Sequence, residues 1–306
     1  MEHIPVLLEP VLNMAKTSPH TPKLYLDGTF GRGGHARALM NEFSELKVIA
    51  FDQDPEAIEY AKTHFKEELS SGRLQILKAN FHDVTEVCKK LRLTQPFNKF
   101  DFMLIDLGVS SPQLDDPRRG FSFYHDGPLD MRMDLENSLT AAEIINTWSE
   151  DELRDLFYHY GEVRKPGRVV HEILNQRQKI PFQTTRQLSS LIEKSEGWRK
   201  KGQHPATQFF LALRMAVNAE LEPLAKAIED LVLELAVGGR LVVLTFHSLE
   251  DRIVKQQMKS MKELGSVVNK KVVQATWDEK KVNSRARSAK LRTFQRGEIE
   301  YEKTSN

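Results

Sequence analysis

Between residues 23 and 105, short apolar runs alternate with amphipathic stretches, and a chain patterned this way buries its runs as strands of a parallel sheet covered by helices. KLYLD (23–27), KVIAFD (47–52), LQILKA (74–79) and DFMLID (101–106) read as four such strands. HARALMNEF (35–43) has helical spacing, and Asp54 followed by Pro55 is an N-cap with proline at the first helical position, opening PEAIEYAKTHFKEEL. Far downstream, GGRLVVLTF (238–246) repeats the pattern of a glycine turn feeding an apolar run, which predicts a fifth strand. The interval 114–207 shows helix-like stretches such as TAAEIINTWSEDELRDLFYHY and GRVVHEILNQRQ and no strong strand signal. Residues 204–235 then give two amphipathic helices, with Pro223 marking a break or a first turn. The expectation is an α/β sheet domain that is discontinuous in sequence, 1–113 and 208–306, carrying an inserted all-helical domain, 114–207, suited to substrate recognition.

Composition narrows the environment more than the chemistry. Cys88 is the single cysteine, which excludes an intrachain disulfide and a multi-thiolate metal site and fits a reducing cytoplasm. The segment VTEVCKKL gives Cys88 helical spacing and no histidine partner, so it reads as a packing residue. MEHIPVLLEP has an acid and two prolines where a signal peptide needs basic residues and an unbroken apolar run. No stretch approaches the length of a membrane span. Forty-four Lys and Arg against 43 Asp and Glu leave a net charge of +1, so any polyanion site must come from local clustering.

DGTFGRGGH (27–35) sits between the first strand and a helix, where free backbone N–H groups and a positive helix end can face a ligand. Asp52 ends the second strand about 20 residues on, the position from which a carboxylate accepts ribose hydroxyls in a doubly wound fold. Together they point to an adenosine-containing ligand; the bland reading is that Gly31, Gly33 and Gly34 only permit a tight turn and Asp52 only caps a helix. The spacing is not GxGxxG, and Asp27 immediately before the turn is poorly placed for a pyrophosphate. S-adenosylmethionine carries an ammonium and a sulfonium, which Asp27 would attract.

The loop DLGVSSPQLDDPRRGFSFYHDGPLDMRMD after the fourth strand, taken with DGTFGRGGHARAL, HPATQFFLALRMAVN, GGRLVVLTFHSLEDRIVK and NSRARSAKLR, closely resembles the bacterial ribosomal RNA small subunit methyltransferase H family. The resemblance implies a class I S-adenosylmethionine-dependent methyltransferase of Rossmann-like fold with a helical insert, acting on N4 of a cytidine in the decoding region of 16S rRNA in the small ribosomal subunit. It implies cofactor contacts at Gly33, Gly34 and His35, at Asp52 for the ribose, at Phe81 beside adenine within ANFHD, and at Asp106 and Gln113 after strand four. It leaves the oligomer open, a homodimer included. Gln208 and Leu211 stand where the family has arginine and glutamine in HPATRxFQALR, Val163 where it has glutamate in GEE, and Ser284 where it has proline in NPRARS.

Cytosine's amino nitrogen has its lone pair delocalised into the ring, so acceptors aimed at its N–H groups and in-line positioning must supply most of the effect, and no metal is required. Asp106, with the backbone carbonyls of Leu107 to Ser110, is the candidate frame of the methyl-transfer site. Asp130, Arg132 and Asp134 are candidates to shape the base pocket or, equally, a structural ion-pair loop. His247 is a candidate for substrate contact or for packing. Phe121, Phe123 and Tyr124 offer stacking surfaces for an extruded base or anchors for the loop. From Lys281 to Arg296 the chain carries six cations and no acid, and Arg285, Arg287, Lys290 and Arg292 are the candidate phosphate contacts, a solvated basic strand being the alternative. Three other activities fit worse or remain open. A nicotinamide dehydrogenase lacks its GxGxxG, a serine hydrolase lacks GxSxG because Pro112 stands two after Ser110, and a non-catalytic RNA-binding module is left to experiment.

Overall fold

The computed structural model describes residues 5–196 and 204–298. Among the described residues eight strands form one sheet: β1 (Leu24–Asp27), β2 (Lys47–Asp52), β3 (Leu74–Lys78), β4 (Phe100–Asp106), β5 (Leu235–Thr245), β6 (Gly265–Val267), β7 (Val273–Gln274) and β8 (Lys290–Arg296). Their order is β3-β2-β1-β4-β5-β8-β6, with β7 paired to β8 off that path. The first five run parallel, and β8 is antiparallel to β5. The chain steps outward from β1 to β3 and then returns to the other side of β1 with β4. That reversal opens a crevice outside the carboxyl ends of the strands, where ligands bind in such sheets.

Strands buried on both faces read as unbroken apolar runs, and their residues divide by alternation. Tyr25, Val48, Ala50, Phe102, Leu104, Val242 and Leu244 join one core cluster with Val11, Ala36 and Leu39 from the helices Leu8–Lys16 and Gly34–Glu42. Leu26, Ile49, Phe51, Met103, Ile105, Leu241 and Val243 join the other, with Leu224, Ile228 and Val254. Asp54 caps the helix Pro55–His64 by accepting from Glu56 N–H at 3.0 Å, with Pro55 in the first turn. The run predicted as one helix over 55–69 breaks at Phe65, whose φ of −126° is not helical, and resumes at Lys66–Ser70. Cys88 is buried in the second cluster, and burial pushes its thiol up to about 12, which leaves it a packing group.

The chain divides into two compact units, 1–108 with 221–306, and 109–220. The helical unit is therefore wider than the 114–207 read from sequence. The helix Thr207–Val217 supplies Phe209, Phe210, Ala212 and Leu213 to the same core as Ile144, Phe157, Val170, Ile173 and Ile192, so it belongs to the insert rather than to the sheet domain. The segment 140–160 is two helices, Ala141–Thr147 and Glu150–His159, separated at Trp148 (ψ 148°) and restarted by a capping box between Ser149 and Glu152. Val163, where a glutamate was expected, is buried in this core, so an apolar side chain fits the position. Among the described residues no helix is long and apolar enough to cross a membrane.

Candidate active site

The carboxyl ends of β1, β2 and β4 each finish on an aspartate, Asp27, Asp52 and Asp106. The turn after β1 ties the three ends together. Gly28 N–H donates to Leu104 O (3.0 Å), Phe30 N–H to Phe51 O (3.0 Å), and Gly31 N–H to Asp52 Oδ2 (2.7 Å). Thr29 donates its N–H to Asp27 Oδ1 (3.3 Å) while its hydroxyl accepts from Asp106 N–H (2.7 Å), so a residue that sequence reading passed over couples β1 to β4. Close packing explains two of the glycines. A Cβ on Gly28 would lie 2.2 Å from Ile105 Cδ1, and one on Gly33, whose φ is +66°, would lie 2.4 Å from Phe30 Cζ. Phe81 is buried against the same turn, 3.1 Å from the Gly28 Cβ position through its own Cβ.

Three buried carboxyl groups resist ionisation here. Burial raises Asp27 from an ordinary 3.8 to about 7, against the hydrogen bond from Thr29 N–H that favours the charge. Burial likewise raises Asp52 to about 6, although Asp54 and Gly31 N–H groups donate to it. Asp106 rises furthest, to about 8, by burial first and then by the charges of Asp27 and Glu250. Its Oδ1 is buried without a hydrogen-bond partner. A set of strand-end acids of this kind favours a cationic ligand and disfavours a pyrophosphate.

At the end of β5 the helix Ser248–Ser260 begins with His247 as its cap. Glu250 N–H approaches His247 Nδ1 at 3.4 Å, while His247 Nε2 lies 2.7 Å from Glu250 Oε1. Glu250 Oε2 also accepts from Phe246 N–H at 2.8 Å. Both ring nitrogens thus face Glu250, with Nε2 buried and outside hydrogen-bond geometry. His35 is buried with Nε2 3.0 Å from Val6 O, and a Cβ on Gly34 would lie 2.5 Å from Pro5 Cγ, so both residues hold the segment preceding the first helix.

Within the helical unit, Gln113 is buried and its Oε1 accepts from Ser110 N–H (2.8 Å), closing a capping box on the helix Ser111–Asp115. Asp130 and Arg132 form a two-pronged pair, Nε to Oδ1 and Nη2 to Oδ2 both at 2.8 Å, and Arg132 Nη1 donates to the carbonyls of Leu135 (3.1 Å) and Asn137 (2.6 Å). Asp134 accepts from Glu136 N–H (3.1 Å). Asn218, absent from the candidates although it closes HPATQFFLALRMAVN, clamps the loop. Its Oδ1 accepts from Met133 N–H and its Nδ2 donates to Met131 O, both at 2.8 Å. These contacts fit the structural reading of the loop. Phe121 is buried in the helical core, Phe123 stacks on His204 with centroids 4.6 Å apart, and Tyr124 is exposed.

The basic tract divides. Arg292 is buried and donates Nε to Asp251 Oδ1 (2.7 Å) and Nη2 to Oδ2 (3.2 Å), and Lys290 Nζ reaches the same Oδ2 at 3.1 Å. This pair is engaged in holding β8 to the helix Ser248–Ser260. Arg285 is half-buried and Arg287 exposed.

A sheet of this order, with a tight glycine turn after β1 and acids closing β1, β2 and β4, defines a class I S-adenosylmethionine-dependent methyltransferase. The MraW methylase family model matches residues 1–297. The chain belongs to that family. It is 51% identical over 296 residues to the ribosomal RNA small subunit methyltransferase H of Bdellovibrio bacteriovorus, covering 96% of this chain and 88% of that one. It is 45% identical over 294 residues to the protein of that name from a Cyanothece species, covering 96% and 94%. An rRNA methylase structure from Streptococcus thermophilus aligns over 97% of this chain and 99% of that one at 11% identity, with a TM-score of 0.43.

The residues fit the cofactor, because a crescent of reluctant carboxylates gains from a ligand bearing a sulfonium and an ammonium. Part of the carboxylate population is protonated near neutrality, so S-adenosylmethionine binding at about pH 7 is expected to expel protons. Calorimetry in buffers of different ionisation enthalpy measures this directly; proton uptake would contradict the assignment.

Proposed function

We propose that this enzyme transfers a methyl group from S-adenosylmethionine to N4 of a cytidine in the decoding region of 16S rRNA, within the small ribosomal subunit and in the cytoplasm. The observation that carries this reading is the Asp106 carboxyl, with a buried, partnerless Oδ1 at the end of β4. Bound S-adenosylmethionine supplies an already activated methyl on sulfur. The reaction forms one N–C bond, breaks one S–C bond and removes one proton from the amino group. Asp106 Oδ1 accepts a hydrogen bond from that group, which draws the nitrogen lone pair out of conjugation, and then takes the proton. Asp27 and Asp52 would hold the cofactor's cationic and ribose ends, and Phe81 would pack against its adenine. Gly31, Gly33 and Gly34 set the turn that admits it. In the helical unit, Asp130, Arg132 and Asp134 build a loop suited to substrate recognition, as a scaffold rather than as reacting groups. Arg285 and Arg287 are the phosphate contacts.

The test is transfer of labelled methyl to small subunits from a strain lacking this enzyme, followed by nucleoside mass spectrometry. N4-methylcytidine is the expected product; methyl on carbon 5, on a ribose oxygen, or on no nucleoside would refute the reading. Light scattering on the same preparation measures whether the enzyme is a homodimer.

A further inference from the structure

The segment between β7 and β8 leaves and rejoins the sheet at the end that carries the site. Gln274 of β7 pairs with Lys290 of β8, and Lys290 pairs with Thr245, the last residue of β5. This segment is pinned on one side. Ala275, Ala286 and Ala289 are buried in the core cluster, and Glu279 Oε1 accepts from Leu7 N–H at 2.7 Å. The helix Trp277–Val282 is capped by Thr276, whose hydroxyl accepts from Glu279 N–H at 3.2 Å.

On the other side, Trp277 is 69% exposed and Val282 77% exposed. Lys281 Nζ lies 3.2 Å from the Trp277 ring centroid, over one face of the indole. Asp278 and Glu279 are the neighbouring acids, Glu279 being held by Leu7 N–H, but from Lys280 to Gly297 the sequence holds Lys280, Lys281, Arg285, Arg287, Lys290, Arg292 and Arg296 with no carboxylate. Lys290 and Arg292 are held by Asp251, while Lys281 and Arg287 are exposed. An exposed large aromatic ring beside cations, fixed on a rigid helix, is what unpaired bases stack on, because every base has a π face and its phosphates seek the cations.

We propose that Trp277 and Lys281 form a stacking platform for an unpaired base of the polynucleotide that carries the target. The indole takes the base on its open face, and Lys281 and Arg287 meet the flanking phosphates. This rests on the reading of the enzyme as an RNA methyltransferase, and it adds an interaction surface to that reading. The charge around the ring favours a polyanion over an apolar protein partner or a second copy of the chain.

The experiment uses the full chain and a fluorescent single-stranded oligocytidylate, read by anisotropy. Trp277→Ala is expected to weaken binding by roughly tenfold, the size of one lost base stack, while Trp277→Phe retains most of the affinity. The salt slope stays unchanged in Trp277→Ala and falls by about one in Lys281→Ala. S-adenosylhomocysteine binding and melting temperature, measured on the same variants, are expected to match the parent. Equal oligonucleotide affinity of Trp277→Ala and parent overturns the platform, as does a dimer-to-monomer change in Trp277→Ala by light scattering. Parent enzyme that methylates small subunits with kcat/KM unchanged in Trp277→Ala refutes the platform and leaves the reaction standing. Parent enzyme that transfers no methyl refutes the reaction, while the oligonucleotide titration still decides the platform.

Discussion

Asp106→Ala is expected to reduce methyl transfer by on the order of 10²–10⁴-fold, the range for removing a positioned proton acceptor, with cofactor saturating and the fold intact. The size follows from where the carboxyl sits. It closes β4 beside Asp27, its backbone is fixed by Thr29, and its Oδ1 is buried without a partner. A group kept ready in this way favours the moment when the amino nitrogen loses conjugation and a proton. The free enzyme holds Asp106 near 8, by burial and by the charges of Asp27 and Glu250. Accordingly kcat/KM should climb with pH through about that value, and the climb should be absent from the residual activity of Asp106→Asn. Stability should move the other way. A carboxyl raised in the fold holds its proton after the unfolded chain has lost its own, so its contribution to stability falls as pH rises from about 4 to about 8 and is level beyond. Asparagine has no charge to lose. The melting temperature of Asp106→Asn should therefore exceed that of the parent by a margin that widens over that range. A slower enzyme that is also more heat-resistant cannot be explained by misfolding. Near-normal transfer by Asp106→Ala with a normal melting curve would remove Asp106 from the site.

The acids that close the strands were legible because a doubly buried parallel strand is a bare apolar run, and the residue at which polarity returns marks its exit into the crevice. The Asp54-Pro55 helix start was legible for an equally local reason. Thr29 was not, because its hydroxyl matters only when β4 arrives from a distant part of the sequence to place Asp106 N–H against it. The helix Thr207–Val217 has Phe209, Phe210, Ala212, Leu213 and Met215 buried around most of its circumference, so its pattern announces burial without saying in which core. Lys290–Arg296 was hidden by its own charges. Leu291 and Phe294 are its apolar contributions to the two clusters, while Arg292 and Arg296 are buried cations on a strand otherwise read as a solvated tract. The missing fact was a long-range one, the carboxylate of Asp251.

That carboxylate carries the second large effect. Asp251→Ala should destabilise the protein by about 3–5 kcal/mol, the cost of stranding a buried partner without its counter-charge, and lower the melting temperature by roughly 6–20 °C for a domain of this size. Burial alone would push the Asp251 carboxyl up, but hydrogen bonds and charge from Arg292 and Lys290 outweigh it and hold it below the ordinary carboxylate range. Its contribution is thus complete at neutral pH and lost as pH falls through that depressed value. The loss comes from the stranded cation more than from the missing contact. Pairing Asp251→Leu with Arg292→Leu should therefore recover much of the stability, as apolar replacements of buried ion pairs do. The same contrast sorts the basic tract. Arg292→Met should lower the melting temperature with little change in the salt slope of RNA binding, whereas Arg287→Glu should reduce that slope and leave unfolding within about 0.5 kcal/mol of the parent. If Asp251→Ala unfolds like the parent while Arg292→Met loses RNA affinity, then Arg292 faces the nucleic acid in solution, and the clamp between β8 and the helix Ser248–Ser260 does not hold the edge of the sheet.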